Sequence, residues 1–148
     1  MSAPVKSLLV RCDPWLVALP VACVRRLVAD EAVAAVAGAV GDSPWLGTVA
    51  VGGERLPAWD LGRLLGLKGG GAAWVLIDRP LPAALRVGRC LHVVDLAPEM
   101  SRRVPDAAGG IPGAGCFAAA DGGFGLAVDP RELLAEAALA DVGTGAGR

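Results

Sequence analysis

Short apolar runs, each closed by a turn signal, fill most of this chain and leave little room for long helices. Ser7-Leu8-Leu9-Val10-Arg11 and Trp15-Leu16-Val17-Ala18-Leu19 flank Asp13-Pro14, a tight hairpin connection. Val24 to Val28 is a further strand candidate after Pro20. Gly47 to Val51 and Arg55 to Trp59 flank Gly52-Gly53-Glu54, where adjacent glycines supply the positive φ that hairpin turns require. Ala73 to Asp78 reads as a buried strand, ended by Arg79-Pro80-Leu81-Pro82. Ala84 to Arg89 and Leu91 to Leu96 follow, with Gly88 permitting a bend between them. Phe117 to Ala120 and Phe124 to Val128 flank Asp121-Gly122-Gly123, another hairpin signal. About ten short strands result, which is the pattern of small barrels or sandwiches.

Helices are few. Asp60 to Gly66 reads as one or two turns, with Asp60 as N-cap and Gly66 as the stop. Asp129-Pro130-Arg131-Glu132-Leu133-Leu134 opens a second helix, capped by Asp and started by Pro, that runs to about Ala140 before a Gly-rich tail over 143–148. Ala32 to Val40 has valines at helical spacing, yet its Ala-Val content suits an ordered loop equally well.

The residue inventory bears on function. The 148 residues contain no Tyr, no Asn and no Gln, with one His and two Lys. General acid–base catalysis leans most on His, and the single candidate, His92, sits in the apolar run Cys90-Leu91-His92-Val93-Val94. Asp95, three residues on, falls on the opposite face of a strand. A catalytic centre has no support. Cys12, Cys23, Cys90 and Cys116 lie far apart with no C-x-x-C, so they read as buried small hydrophobes rather than a zinc site or disulfides. No cofactor or metal is expected. Gly62 to Lys68 is no phosphate loop, for it lies in a helix and lacks the Walker spacing, and Gly143 to Gly147 has no strand before it. Arg25-Arg26 and Arg102-Arg103 read as solvated pairs. Net charge is −1 without a basic stripe, which argues against nucleic acid. The longest uncharged run, Ala107 to Ala120, is interrupted by glycines and a proline, and Met1 to Lys6 has no secretory pattern. A soluble cytoplasmic protein without direct membrane contact is the expectation.

One ordered series of motifs narrows this further. Ala18-Leu19-Pro20-Val21-Ala22-Cys23-Val24-Arg25-Arg26-Leu27 is followed by Pro44-Trp45-Leu46-Gly47-Thr48-Val49-Ala50-Val51-Gly52-Gly53-Glu54-Arg55-Leu56-Pro57-Ala58-Trp59-Asp60-Leu61. This resembles the CheW family of chemotaxis coupling proteins, whose members read "A-L-P-x-x-x-V-x-E-V" and then "G-V-x-N-L-R-G-x-x-x-P-V-x-D-L-R". Ala84 to Val94 looks like the family's "G-L-L-V-D-x-V-x-x-V" strands, Val104-Pro105 like its proline-marked loop, and Phe117 to Leu134 like its closing hairpin and "L-D-x-x-x-L-L" segment. The likeness covers roughly residues 6 to 136, within one domain spanning 1–148. It implies an all-β fold of two five-stranded SH3-like barrels packed together, with a short helix or two and a C-terminal helix. It also implies a non-catalytic adaptor between a methyl-accepting chemoreceptor and the regulatory domain of a CheA-type histidine kinase, with another CheW-like protein as a further partner. Trp15, Trp59 and Trp74 are expected to be buried, since aromatic area is scarce.

Departures from the family pattern bear on the partners. Ala50-Val51-Gly52-Gly53 stands where the family has N-L-R-G, Arg26 replaces the glutamate of "V-x-E-V", and Gly88 replaces the aspartate of "L-V-D". Charge reversal at an interface rim changes partner choice. The resemblance places receptor contact at Val24, Arg26 and Leu27 and along Ala50, Val51, Gly52, Gly53 and Arg55, with weakened kinase binding. Divergent second copies of the family accompany some chemosensory systems, among them the frizzy gliding-motility system of myxobacteria, and an Ala-, Gly- and Arg-rich chain suits such a source. A free-standing β-barrel interaction module outside chemotaxis is the alternative reading.

Overall fold

Twelve strands form among the described residues of the computed structural model, which are 4–38, 43–79, 81–96, 101–103, 114–118 and 124–134. In chain order they are β1 (Val5–Cys12), β2 (Trp15–Pro20), β3 (Val24–Ala29), β4 (Val33–Gly38), β5 (Trp45–Val51) and β6 (Glu54–Asp60). A short helix, α1 (Leu61–Leu64), precedes β7 (Ala73–Ile77), β8 (Ala83–Val87), β9 (Arg89–Leu96), β10 (Ser101–Arg103), β11 (Ala114–Ala118) and β12 (Phe124–Val128). Residues 130–134 then open a second helix, α2. One six-stranded sheet runs β10-β11-β12-β2-β1-β9 and the other β3-β7-β8-β6-β5-β4.

Both sheets follow one plan. An antiparallel hairpin, β1–β2 or β5–β6, pairs its second strand in parallel with the second strand of a later hairpin, β11–β12 or β7–β8. The two sheets curl into two small barrels packed together, as the strand pattern and the resemblance imply. The two strands beyond the expected ten are β4 and β10. The 32–40 segment, left open between helix and loop, is a strand over Val33–Gly38. Its pairing with β5, from Val33↔Val51 to Gly38↔Gly47, overrides the helical preference of an alanine-rich sequence. Ser101-Arg102-Arg103 carries no apolar alternation at all, so β10 left no trace in the pattern.

Period-two alternation divides the core. Leu8, Val10 and Cys12 of β1, Val17 and Leu19 of β2, and Leu126 and Val128 of β12 face Trp59, Val75, Ile77, Leu85 and Val87 of the other sheet. The intervening residues turn the other way. Leu56, Ala58, Trp74, Leu76 and Ala84 fill the second barrel with Val28, Val49 and Val51, while Leu9, Ala18 and Phe117 fill the first. Central strands are therefore buried on both faces, which is why they read as unbroken apolar runs rather than alternating ones.

The junction of β6 and α1 is the most polar part of this core. Asp60 is fully buried, and its Oδ1 accepts from the Arg63 backbone N–H at 3.0 Å, the N-cap bond expected of it. Its Oδ2 accepts from the Gly70 N–H at 2.8 Å and from Nε and Nη2 of Arg86 at 3.0 and 2.8 Å. One carboxylate thus ties β6, α1, the loop after it and β8. Gly66 ends the helix with φ of 80°, as anticipated. Asp129 caps α2 through the Arg131 N–H at 2.9 Å. The remainder of the expected C-terminal helix, the 143–148 tail, the 121–123 turn and the 104–105 loop lie outside the described residues.

Two expectations need correction. Trp59 and Trp74 are buried, but Trp15 is 38% exposed. It opens β2 directly after the Asp13-Pro14 turn, opposite Cys12, where the barrel wall ends and no strand covers it. Cys12 and Cys23 are buried, whereas Cys90 is only half-buried. At Gly88 the N–H bonds the Arg11 carbonyl at 2.8 Å, and a Cβ there would lie 2.6 Å from that same oxygen.

Candidate partner-binding surface

Among the described residues, strand β3 is an edge paired with β7, and its register shifts between Val24↔Ile77 and Arg26↔Leu76. Arg25 is the extra residue of that bulge. A bulge breaks the alternation of faces, so Arg25, Arg26 and Leu27 are all exposed in succession before Val28 turns back into the barrel. Val24 is half-buried against the main core, and Leu27 is 48% exposed.

The β5–β6 hairpin supplies the second segment. Val51↔Glu54 is its closing pair, and Gly52 and Gly53 between them have φ of 57° and 84°. Positive φ at both central residues is the type I′ turn that matches strand twist, and side chains there are strained. The arginine of the family's N-L-R-G is therefore absent from a position that this tight turn reserves for glycine. Ala50 and Arg55 form the next pair, with Arg55 exposed and Ala50 partly so. Val51 points into the second barrel at 4% exposure, so its side chain lies beneath the surface rather than on it.

A contact that the sequence did not reveal joins the two segments. Arg25 Nη2 meets Glu54 Oε1 at 2.7 Å, linking the β3 bulge to the hairpin turn. The hydrogen bond to Arg25 holds the Glu54 carboxyl below its ordinary range, and Arg26 adds to this through its charge; Glu54 in turn raises Arg25. Both side chains are open to solvent, so this pair orients rather than stabilises. Glu54 neutralises Arg25, while Arg26 on β3 and Arg55 on the hairpin are exposed cations. Arg25 had read as one half of a solvated pair, and nothing local marks Glu54 as its partner across about thirty residues of sequence. The combination is an apolar side chain on a sheet edge with a basic rim.

Other candidates fall elsewhere. His92 is exposed on β9. Burial pushes the Cys12 thiol up to about 12 and also raises Cys23 and Cys90, the opposite of what a reactive thiolate needs. Among the described residues, no three His, Cys, Asp or Glu side chains lie together as metal ligands would, and no helix is long and apolar enough to cross a membrane. The side chains of Cys116, Arg102 and Arg103 are outside the described set.

No family model matches the sequence, and no curated protein matches it. Solved structures do. The crystal structure of the scaffolding protein TtCheW from Thermoanaerobacter tengcongensis superposes with a TM-score of 0.65, over 85% of this chain and 88% of that one, at 17% identity. The chain has the CheW-like two-barrel fold.

Proposed function

We propose that this chain is a non-catalytic chemosensory adaptor, a single CheW-like domain over 1–148. In this reading it works in the cytoplasm without a cofactor and binds the cytoplasmic domain of a methyl-accepting chemoreceptor. Its surface is the one formed by Val24, Arg26, Leu27 and the Ala50 to Arg55 hairpin. The supporting observation is that the Arg25–Glu54 contact joins these separate segments, one of which exposes Leu27, on a fold shared with a scaffolding protein. An apolar anchor within a charged rim is the usual anatomy of a docking site. An apolar receptor helix carrying acidic residues fits it.

Binding to a CheA-type kinase regulatory domain is weakened in the same reading, which makes the protein a divergent second coupling protein of the FrzB type found in gliding-motility systems. Three positions charged in the family are changed here, to Arg26, Gly52 and Gly88. The close approach at Gly88 and the I′ turn at Gly52 disfavour any side chain, so the missing charges are fixed by the backbone. Losing a desolvated charged contact costs about 2–5 kcal/mol, roughly a thirtyfold to several-thousandfold drop in affinity. A further CheW-like protein is a third candidate partner, through shared receptor arrays. Pull-down of the receptor cytoplasmic domain tests the surface: Arg26→Glu and Arg55→Glu should each reduce capture. Capture that both variants leave unchanged would move the contact elsewhere.

A further inference from the structure

A second charged feature lies outside that surface and uses none of its residues. Arg11 of β1 and Arg89 of β9 are directly opposed in the antiparallel register, so two guanidinium side chains rise from one face of adjacent strands. Like charges placed opposite one another are destabilising. Among the described residues, the acidic group paired with them is Asp13, whose Oδ1 is 3.6 Å from Arg11 Nη1 and which is itself mostly exposed. One weak, solvated carboxylate for two cations leaves a net positive site.

These arginines line an open cleft of about 610 Å³ with Gly69, Gly70, Gly71 and Gly88. Its floor is backbone packed on backbone. A Cβ at Gly71 would meet the Val87 carbonyl, and one at Gly88 would meet the Arg11 carbonyl at 2.6 Å. The three loop glycines have φ of 81°, 90° and 141°, a path that other residues rarely follow. Gly70 donates its N–H to buried Asp60, which pins this loop to the core. A floor without side chains keeps the space between the guanidiniums open, and the pinned loop keeps it rigid.

We infer that this cleft binds a carboxylate-bearing peptide segment of a partner protein, with Arg11 and Arg89 as its two anchors. The planar guanidinium fork matches a carboxylate, and two forks on adjacent strands fit two acidic side chains of an extended peptide. A small free oxyanion suits the site less well. The cleft is much larger than a phosphate, and the central N–H of the glycine loop is already committed to Asp60. Partner binding also relieves the repulsion between the two arginines that the free protein retains.

Fluorescence anisotropy of a fluorescein-labelled hexaglutamate probe with the full chain at low salt tests this. Arg11→Ala and Arg89→Ala should each weaken binding about tenfold or more. Arg89→Lys should fall between wild type and Arg89→Ala, and Arg79→Ala, an exposed arginine outside both surfaces, should bind like wild type. The melting temperature of Arg89→Ala should hold or rise, since its removal ends the like-charge opposition. Failure of hexaglutamate to bind would overturn the inference. So would an equal loss in Arg79→Ala, which signals non-specific attraction, or displacement of the probe by equimolar inorganic phosphate, which signals a simple oxyanion site.

Discussion

Replacing Asp60 by alanine should be the most damaging single change in the described core. The substitution removes four accepted hydrogen bonds, from Arg63 N, Gly70 N and Nε and Nη2 of Arg86. Breaking a buried ion pair by deleting one partner costs about 3–5 kcal/mol. The Arg86 side chain is 24% exposed, so part of its stranded charge can be hydrated, which favours the lower end. Loss of the helix cap adds about 1 kcal/mol, and these effects overlap because they share one carboxylate. A net loss of about 4 kcal/mol is a large share of the roughly 5–15 kcal/mol that holds a domain together. Urea unfolding followed by circular dichroism should show the midpoint falling by about 2 M at a slope of roughly 2 kcal/mol/M. Asp60→Asn keeps a cap acceptor and should lose less. A drop below about 1 kcal/mol for Asp60→Ala would mean that Arg86 and the Gly70 N–H find water readily, and that the carboxylate does not organise this junction.

The other expected outcomes concern separate parts of the molecule. Gly88→Asp, which restores the family's residue, should cost about 1–3 kcal/mol in thermal unfolding through collision with the Arg11 carbonyl; an unchanged melting temperature would show that the strands part easily there. Leu85→Ala, at 1% exposure between the barrels, should cost about 2–5 kcal/mol by urea unfolding, while Val93→Ala, at 51% exposure, should change little. Burial holds the folded Cys12 thiol near 12 against an ordinary value of 9.0, so the folded state keeps its proton to higher pH than the unfolded chain. Stability from this group is complete below pH 9 and falls as pH rises towards 12, by about 1.4 kcal/mol per unit; Cys12→Ala should flatten that slope in alkaline urea titrations.

Local chemistry explains which features were legible. The Asp60 cap, the Gly66 stop, the Asp129 cap and the Gly52-Gly53 turn are set by residues within a few positions of one another, and each forms as read. Strand β4 was not legible because alanine favours helix locally and pairing with β5 decides its state instead. Trp15 misled because its residue type says nothing of its place at the end of a barrel wall. At the candidate surface, the apolar and basic residues of β3 were visible, but a bulge decides that Leu27 faces outward, and Val51 turns inward by the same alternation that places Val49 in the core. The Arg11–Arg89 opposition arises from register between distant strands and the Arg25–Glu54 contact spans strands that are not paired, and no local pattern contains either.

Isothermal calorimetry with the receptor cytoplasmic domain and the kinase regulatory domain, each titrated into this protein and into its Leu27→Asp variant, tests the proposed adaptor role most directly. Receptor binding at micromolar or tighter affinity, lost in Leu27→Asp, together with kinase binding below detection, is the predicted result. No heat from the receptor domain, or micromolar binding of the kinase domain, would contradict it.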